Sequence, residues 1–199
     1  MTLEDISKDR FKYKLVRRKK ILSNSKFNVF FDHLITQEGI TVEDFLIVKP
    51  KISDSDNIIG ICTIPIFKNK FYLMRGWRHQ FDDFLFQAPA GFIEKDESPS
   101  QTALRELGEE TSLFCKSHDL ISLGTYAPDA GLVEGKVALF LAMNCEKRNE
   151  FSINEVGTGN MVSFSEDELC ELINSESNIG GSTIVTALRA LNYLKNKQN

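Results

Sequence analysis

The chain has 199 residues, of which 42% are hydrophobic and 26% are charged, a composition ordinary for a soluble globular protein of one generous domain. Its formal net charge of −4 argues against a general nucleic-acid binder, because phosphate binding relies on concentrated Lys and Arg. The N-terminal sequence MTLEDISKDR has no apolar signal-peptide core, and no stretch approaches ~18 uninterrupted apolar residues. The 4 cysteines show no zinc-like spacing. We therefore expect a reduced, cytoplasmic protein with no nucleic-acid or membrane partner.

β-rich segments occupy the first quarter of the chain. Residues 11–36 contain YKLVRRKKIL and KFNVFFDHLI, which a polar Ser-Asn-Ser turn separates, and DFLIVKP follows a second turn. The basic run in residues 14–20 is interpreted as the exposed side of an early strand. This pattern predicts an N-terminal β-rich extension at 1–50 and a main domain at 51–199.

Strand-like and helical segments are mixed through the rest of the chain. Strands are predicted at 58–67, 71–77, 121–126, 136–145 and in the run NMVSF. A capping box of Ser165 and Glu168 begins a helix that continues to about Ile173. The segment 182–195 places Ile184, Ala187, Leu188, Leu191 and Leu194 on one helical stripe. These elements indicate an α/β fold.

Residues 91–113, GFIEKDESPSQTALRELGEETSL, combine a glycine turn with the beginning of a helix. Ser98 can serve as the N-cap, Pro99 fits the first helical position, and Gln101 stands where a capping box requires Glu or Gln. At ~100° per residue, Glu106, Glu109 and Glu110 fall on one face of this helix.

Three carboxylates at spacings of three and four repel one another on a helix. Their concentration becomes favourable when a divalent cation lies among them, because hard cations such as Mg²⁺ take oxygen ligands and share them with phosphates. The alternative reading of the same pattern is a solvated acidic face. The surrounding residues favour the metal site.

This segment resembles the Nudix box, a pattern with fixed Gly, Glu, Arg and Glu-Glu positions. Eight positions match it, namely Gly91, Glu97, Arg105, Glu106, Leu107, Glu109, Glu110 and Leu113. Ser112 replaces the last glycine, where a left-handed conformation is expected. The resemblance implies a Nudix-type α/β/α sandwich with a mixed sheet and a Mg²⁺- or Mn²⁺-dependent hydrolase. It further implies that Ala90, Glu106, Glu109 and Glu110 hold the metal, and that Glu97 and Arg105 pair to brace the loop.

Flanking segments are similar to those of ADP-ribose pyrophosphatases and related nucleotide-sugar hydrolases. These are QAPAGFIE (87–94), FYLMRGWRHQ (71–80) and Pro128, which stands 15 residues beyond Leu113. The resemblance implies that Arg78 binds the substrate diphosphate, with Arg75 as a second candidate. Gln87 departs from the glutamate common in ADP-ribose enzymes. The alternatives are a pyrophosphatase for another nucleotide such as GDP-mannose, and a noncatalytic ligand-sensing module.

The box does not identify a general base, since its carboxylates are assigned to metal. Glu134 matches the loop glutamate of the resembling family and joins Glu109 and Glu110 as a catalytic candidate, with Glu155 as its competitor. A solvent-exposed acid is the alternative for either residue. Relatives of this kind exchange N-terminal strands, so the resemblance also implies a homodimer built through residues 1–50.

Overall fold

The computed structural model describes residues 13–148, 159–175 and 178–198. Its strands are β1 (Lys14–Ser23), β2 (Phe27–Ile35), β3 (Thr41–Pro50), β4 (Ile58–Phe67), β5 (Lys70–Arg78), β6 (Asp83–Gln87), β7 (Ala90–Phe92), β8 (Leu113–Phe114), β9 (Leu120–Tyr126), β10 (Lys136–Ala142), β11 (Glu146–Lys147) and β12 (Asn160–Phe164). Its helices are α1 (Pro99–Thr111), α2 (Glu166–Asn174) and α3 (Gly181–Gln198).

The chain divides into two compact units. The first unit contains Met1–Lys51 and Asp129–Glu134, and the second contains Ile52–Pro128 and Gly135–Asn199. The dimerisation role expected for residues 1–50 stays a prediction.

An antiparallel sheet in the order β1-β2-β3 forms the first unit. Arg18 and Asp32 are direct cross-strand partners, and the Arg18 guanidinium donates two hydrogen bonds to the Asp32 carboxylate at 2.8 and 2.7 Å. Asp32 is only 4% exposed. A buried carboxylate requires a paired charge, and this bidentate contact supplies it.

A later stretch of chain lies beside β3 within the same unit. The backbone N–H of Val48 donates to Leu132 O at 2.8 Å, and Glu134 N–H donates to Val48 O at 3.0 Å. Val48 and Val133 form a parallel bridge between these two hydrogen bonds. The backbone of residues 132–134 is thereby fixed against β3.

Strand β1 is exposed along its whole length within this unit. The interpretation of its basic run as solvent-facing is confirmed. Apolar side chains are exposed as well, including Leu22 at 55% and Leu15 at 48%.

The second unit contains a mixed sheet in the order β12-β5-β4-β10-β9, with β6 paired to β5 and β7 paired to β4. Strands β10 and β4 run parallel, whereas the other pairs are antiparallel. The predicted mixed α/β organisation is confirmed. Within the described residues, no helix is long and apolar enough to cross a membrane.

Alternating residues of β10 pack against helices on both faces of this sheet. Ala138 and Phe140 join a cluster with Ala103 of α1, whereas Leu139 and Leu141 join a cluster with residues of α2 and α3. Successive strand side chains point to opposite faces, so a strand covered on both sides must be apolar throughout. This explains the uninterrupted apolar run of β10.

The predicted helix caps are confirmed. Ser98 with Gln101 and Ser165 with Glu168 form complete capping boxes at α1 and α2. Ser112 ends α1 in the left-handed conformation, with φ 55°, as the glycine position of the resembling pattern requires.

The stripe predicted for α3 is partly wrong. Leu188 is 50% exposed, whereas Thr183 and Thr186 are buried beside Ala187 and Leu191. The hydroxyl of Thr186 donates to Ser182 O at 2.6 Å, which satisfies a polar group that would otherwise be costly to bury. The buried face is therefore rotated toward the threonines.

Candidate active site

The prediction of a glycine turn at residue 91 is wrong, because Gly91 lies in the short strand β7, directly against one of the helix carboxylates. Strand β7 pairs with β4 through Ala90 with Cys62 and Gly91 with Ile61. A Cβ at Gly91 would lie 1.9 Å from Oε1 of Glu106, far inside van der Waals contact. The Glu106 carboxylate takes the space of a side chain here, so any larger residue at position 91 would displace it. Glu106 is 7% exposed, so this acid is buried against strand β7.

Arg105 contacts three carboxylates. Its Nε and Nη2 donate to the two oxygens of Glu97 at 2.9 and 3.0 Å, and Nη1 donates to Glu106 at 2.7 Å and to Glu109 at 3.0 Å. The hydrogen bonds from Arg105 lower the pKa of Glu97 to about 2, against an opposing effect of burial and with help from the Thr102 hydroxyl. The predicted pairing of Glu97 with Arg105 is confirmed.

Glu110 of α1 also contacts strand β7, at Ala90. The backbone N–H of Ala90 donates to Oε2 of Glu110 at 2.9 Å. Ala90, Glu106 and Glu110 are therefore brought together, and Arg105 connects Glu109 to this group. The Glu109 side chain is 53% exposed.

The donor chemistry of this group fits a hard divalent cation. Carboxylate and backbone carbonyl oxygens are the ligands that Mg²⁺ and Mn²⁺ prefer. In residues 13–148, 159–175 and 178–198, no three His, Cys, Asp or Glu side chains converge closely enough on one point to hold an ion. Arg105 supplies positive charge to two of the carboxylates, so a cation competes with this guanidinium for the same oxygens. Side-chain movement at Glu109 and Arg105 is required to complete a coordination shell.

A pocket of about 390 Å³ adjoins strand β7, and Ala90 belongs to both. Strands β4, β5 and β6 and the N-terminal end of α3 contribute its walls. Small-molecule sites commonly have volumes of roughly 300–1,000 Å³. The pocket is therefore large enough for part of a nucleotide-derived ligand.

Arg78 lines this pocket together with Gln87. The Nη2 group of Arg78 donates to Oε1 of Gln87. The Nε2 atom of Gln87 is buried and has no hydrogen-bond partner among the described residues. The pocket wall thus presents a fixed guanidinium and a buried amide donor, both of which suit an anionic or carbonyl acceptor.

The N-terminal end of α3 is a part of the pocket that sequence reasoning missed. Gly180 N–H donates to Phe86 O at 3.0 Å, and the Thr183 hydroxyl accepts from Ala88 N–H at 2.9 Å, so β6 holds this helix end in place. Backbone N–H groups and the helix dipole favour negative charge at such an end. The run Gly180-Gly181-Ser182-Thr183 was the available signal, since small residues at the beginning of a helix allow a ligand to approach backbone N–H groups that make no other hydrogen bond.

Arg75 does not line this pocket. It is three residues from Arg78, and an odd separation puts two strand side chains on opposite faces. Its guanidinium lies over the Phe84 ring at 5.0 Å and near Phe86 at 5.9 Å. The substrate-binding role of Arg75 stays a prediction.

The structure describes only one of the two general-base candidates. Glu134 belongs to the first unit, where its carboxylate accepts hydrogen bonds from Lys49 and from Arg18, the latter at 2.9 Å. Burial raises the pKa of Glu134, but the hydrogen bonds from Lys49 and Arg18 lower it by more. Glu155 lies outside the described residues. The assignment of the base stays a prediction.

A family model for the NUDIX domain matches residues 57–175. The chain belongs to the Nudix family. The matched range contains strand β7, the whole of α1 and the strands that carry them, so the predicted family is confirmed and the chain is a Nudix hydrolase.

Curated relatives of this Nudix hydrolase carry several descriptions. The "Methanol dehydrogenase activator" of Bacillus methanolicus is 26% identical over 189 residues, covering 94% of this chain and 86% of that protein. The "ADP-ribose pyrophosphatase" of Bacillus subtilis (strain 168) is 33% identical over 75 residues, covering 38% of this chain and 40% of that protein. The "ADP-sugar pyrophosphatase" of Mus musculus is 36% identical over 63 residues, covering 32% and 29% respectively. The last two matches therefore span less than half of each relative.

A solved structure described as an ADP compounds hydrolase shares the fold. It superposes with a TM-score of 0.77 at 17% identity, covering 96% of this chain and 98% of that chain. Together with the family match, this confirms the predicted Nudix-type fold.

Glu97→Gln tests the brace of the Nudix helix by its pH dependence. The folded-state pKa of Glu97, about 2, lies below the ordinary value of 4.5, so its stabilisation is complete above about pH 4.5 and is lost as the pH falls toward 2. We expect Glu97→Gln to lower the free energy of unfolding by on the order of 2 kcal/mol at pH 7. The difference from wild type should shrink below pH 4.

Urea unfolding at pH 7, 4 and 3 measures this dependence. Glu146→Gln, at an exposed position of β11, is the matched control and should leave stability unchanged at each pH. A Glu97→Gln deficit that stays constant from pH 7 to pH 3 would contradict the brace.

Proposed function

We propose that this Nudix hydrolase cleaves the diphosphate of a nucleoside diphosphate sugar with the help of Mg²⁺, with Mn²⁺ as a substitute. ADP-ribose is the leading substrate, and its products would be AMP and ribose 5-phosphate. One observation carries the proposal: the carboxylate group of α1 and the Arg78 pocket meet at Ala90. The groups proposed to bind the cation and those proposed to bind the phosphates would therefore adjoin at Ala90.

The carboxylates of Glu106, Glu109 and Glu110, with the carbonyl of Ala90, are the groups that would hold the cation. When bound, the cation polarises phosphate oxygens and lowers the pKa of the attacking water. Arg78 would bind a phosphate oxygen through its planar guanidinium, and the N-terminal end of α3 would add backbone donors. Gln87, which contacts Arg78, would exchange that contact for one with the substrate.

Two kinds of relative support different parts of this proposal. The pyrophosphatases of Bacillus subtilis and mouse support a nucleoside diphosphate substrate. The Bacillus methanolicus activator matches nearly the whole chain, including the first unit, and this favours activation of a dehydrogenase as a second candidate function. Addition of the protein to a methanol dehydrogenase assay tests the second candidate independently.

Glu109→Gln should abolish most of the proposed hydrolysis. Loss of one charged ligand removes several kcal/mol of transition-state stabilisation, so kcat with ADP-ribose and Mg²⁺ should fall by about 10²-fold or more. The wild-type protein should cleave ADP-ribose with a higher kcat/KM than GDP-mannose or any nucleoside triphosphate. Ion-exchange chromatography of the products measures both quantities.

Glu171→Gln is the control for this substitution, because Glu171 is an exposed acid of α2. Circular dichroism confirms that both variants fold. Near wild-type rates for Glu109→Gln in Mg²⁺ would refute the metal site. A preference of the wild-type protein for GDP-mannose would refute ADP-ribose while leaving diphosphate hydrolysis intact.

Glu134 is proposed as the group that acts on the attacking water, with Glu155 as the competitor. A general base contributes roughly 10²–10⁴-fold, so Glu134→Gln should lower kcat by that factor at saturating Mg²⁺. Lys49→Met separates this role from a structural one, because it removes an ion-pair partner and keeps the carboxylate. A loss below about tenfold for Glu134→Gln, or an equal loss for Lys49→Met, would remove Glu134 from the role and leave Glu155→Gln to be measured.

The first unit is proposed to mediate a homodimer. Its support is the exposure of apolar side chains on β1, since exposed apolar strands require a covering surface. Light scattering at micromolar concentration should give a dimer, and removal of residues 1–45 should abolish both the dimer and activity. Leu22→Glu should weaken the dimer, whereas Leu188→Glu, at a similarly exposed site on α3, should not. A wild-type monomer would refute the proposal.

A further inference from the structure

Two cysteines lie directly beside the strand pair β8–β11 in the sequence. Leu113 pairs with Lys147 and Phe114 pairs with Glu146 in an antiparallel register. The next pair in the same register is Cys115 with Cys145. The two cysteines therefore flank the last pair of this ladder, immediately beyond the two strands, although 30 positions separate them in the sequence.

The hydrogen-bond pattern of the ladder shows what kind of pair they form. Arg148 N–H donates to Ser112 O at 3.4 Å, so the hydrogen-bonded positions are Ser112 with Arg148 and, two residues along, Phe114 with Glu146. Cys115 and Cys145 then occupy a non-hydrogen-bonded position. Cys145 N–H accordingly donates elsewhere, to Ile66 O at 3.0 Å.

This position brings two Cα atoms to a distance suited to a disulfide. Non-hydrogen-bonded antiparallel pairs have Cα atoms about 4.5 Å apart, and disulfides require Cα distances of roughly 4.4–6.8 Å. Cys115 and Leu113 point to the same face, two residues apart, and pack in one apolar cluster with Cys145. The two side chains thus lie close together in one cluster, and their thiols interact.

The two thiols differ in their surroundings. Cys145 is 6% exposed, and its Sγ donates to Ala142 O at 3.3 Å, whereas Cys115 is half-buried. The interaction between the two thiols lowers the pKa of Cys115 and raises that of Cys145, which burial raises further. The more accessible sulfur therefore has the greater thiolate character, as an attacking thiol requires.

We propose that Cys115 and Cys145 form a redox modification site, which a low-molecular-weight disulfide such as glutathione disulfide converts to an intramolecular disulfide. The Cys115 thiolate attacks one sulfur of glutathione disulfide, so a mixed disulfide forms and one glutathione thiolate leaves. The Cys145 thiol then loses its proton and attacks the Cys115 sulfur, and the second glutathione leaves. The protein loses two electrons and two protons, and glutathione disulfide is reduced to two glutathione molecules.

The bond would connect the C-terminal end of α1 to the end of β10. Cys115 follows the α1 cap at Ser112 by three residues, and Cys145 follows the last residue of β10, Ala142, by three. Cross-linking a loop of about 30 residues restricts the unfolded chain and stabilises the folded one. The oxidised protein is therefore the more heat-stable form, and the helix that carries the carboxylates has its end covalently fixed. This inference does not depend on the proposed substrate.

Oxidation of the folded protein by glutathione disulfide tests the proposal. Intact mass should fall by two hydrogens, peptide mapping should join Cys115 to Cys145, and the Tm should rise by on the order of 5–10 °C. Dithiothreitol should reverse all three changes. The double variant Cys62→Ser, Cys170→Ser keeps the pair and should respond as the wild type does.

Cys115→Ser and Cys145→Ser should each lose the mass change and the Tm shift. Their Tm values without oxidant show whether the variants fold, and the double variant keeps the test decisive if they do not. Stable glutathionylation without the intramolecular bond, a bond to Cys62 or Cys170, or no oxidation of the folded protein would overturn the proposal. A Cys115–Cys145 bond that leaves the Tm unchanged would overturn its stabilising effect.

Discussion

Arg105 donates hydrogen bonds to Glu97, which precedes α1, and to Glu106 and Glu109, two acids of α1 that would otherwise repel each other. Like charges three and four residues apart destabilise a helix, and a carboxylate as buried as Glu106 is costly without a partner. The guanidinium offsets both costs and joins Glu97, before the helix, to Glu109 within it. Arg105 therefore compensates the charge of this acidic face, and a hard cation would compete with the guanidinium for oxygens of Glu106 and Glu109.

The sheet fixes the other side of this group. Pairing of β7 with β4 holds Gly91 where no side chain fits beside Glu106, and Thr63 N–H donates to Pro89 O at 2.8 Å on the same stretch. The N–H of Ala90 is then directed at Glu110. The Ala90 segment is thus positioned by backbone pairing, which is more rigid than a loop supported by side chains alone, whereas α1 and Arg105 position the carboxylates.

Local chemistry made part of this arrangement predictable from sequence. The Ser98 cap follows from local sequence chemistry, whereas the left-handed Ser112 and the Glu97–Arg105 pair were implied by the resemblance of this segment to the Nudix box. The contact between Arg78 and Gln87 and the helix end at residues 180–183 depend on chain segments far apart in sequence. Strand β6, which holds that helix end, was not predicted, because residues 83–87 lie close to the QAPAG turn and give too short an apolar pattern.

The electrostatics of the first unit bear on how a glutamate there can serve catalysis. Arg18 neutralises Asp32 and, with Lys49, keeps the pKa of Glu134 below its usual range. Such a carboxylate is ionised throughout the neutral range, but it accepts a proton less readily than an ordinary glutamate does. An attacking water already acidified by a metal ion needs little further basicity. In its proposed role, Glu134 would therefore act mainly by orienting the attacking water through a hydrogen bond, and its expected contribution lies at the lower end of the general-base range.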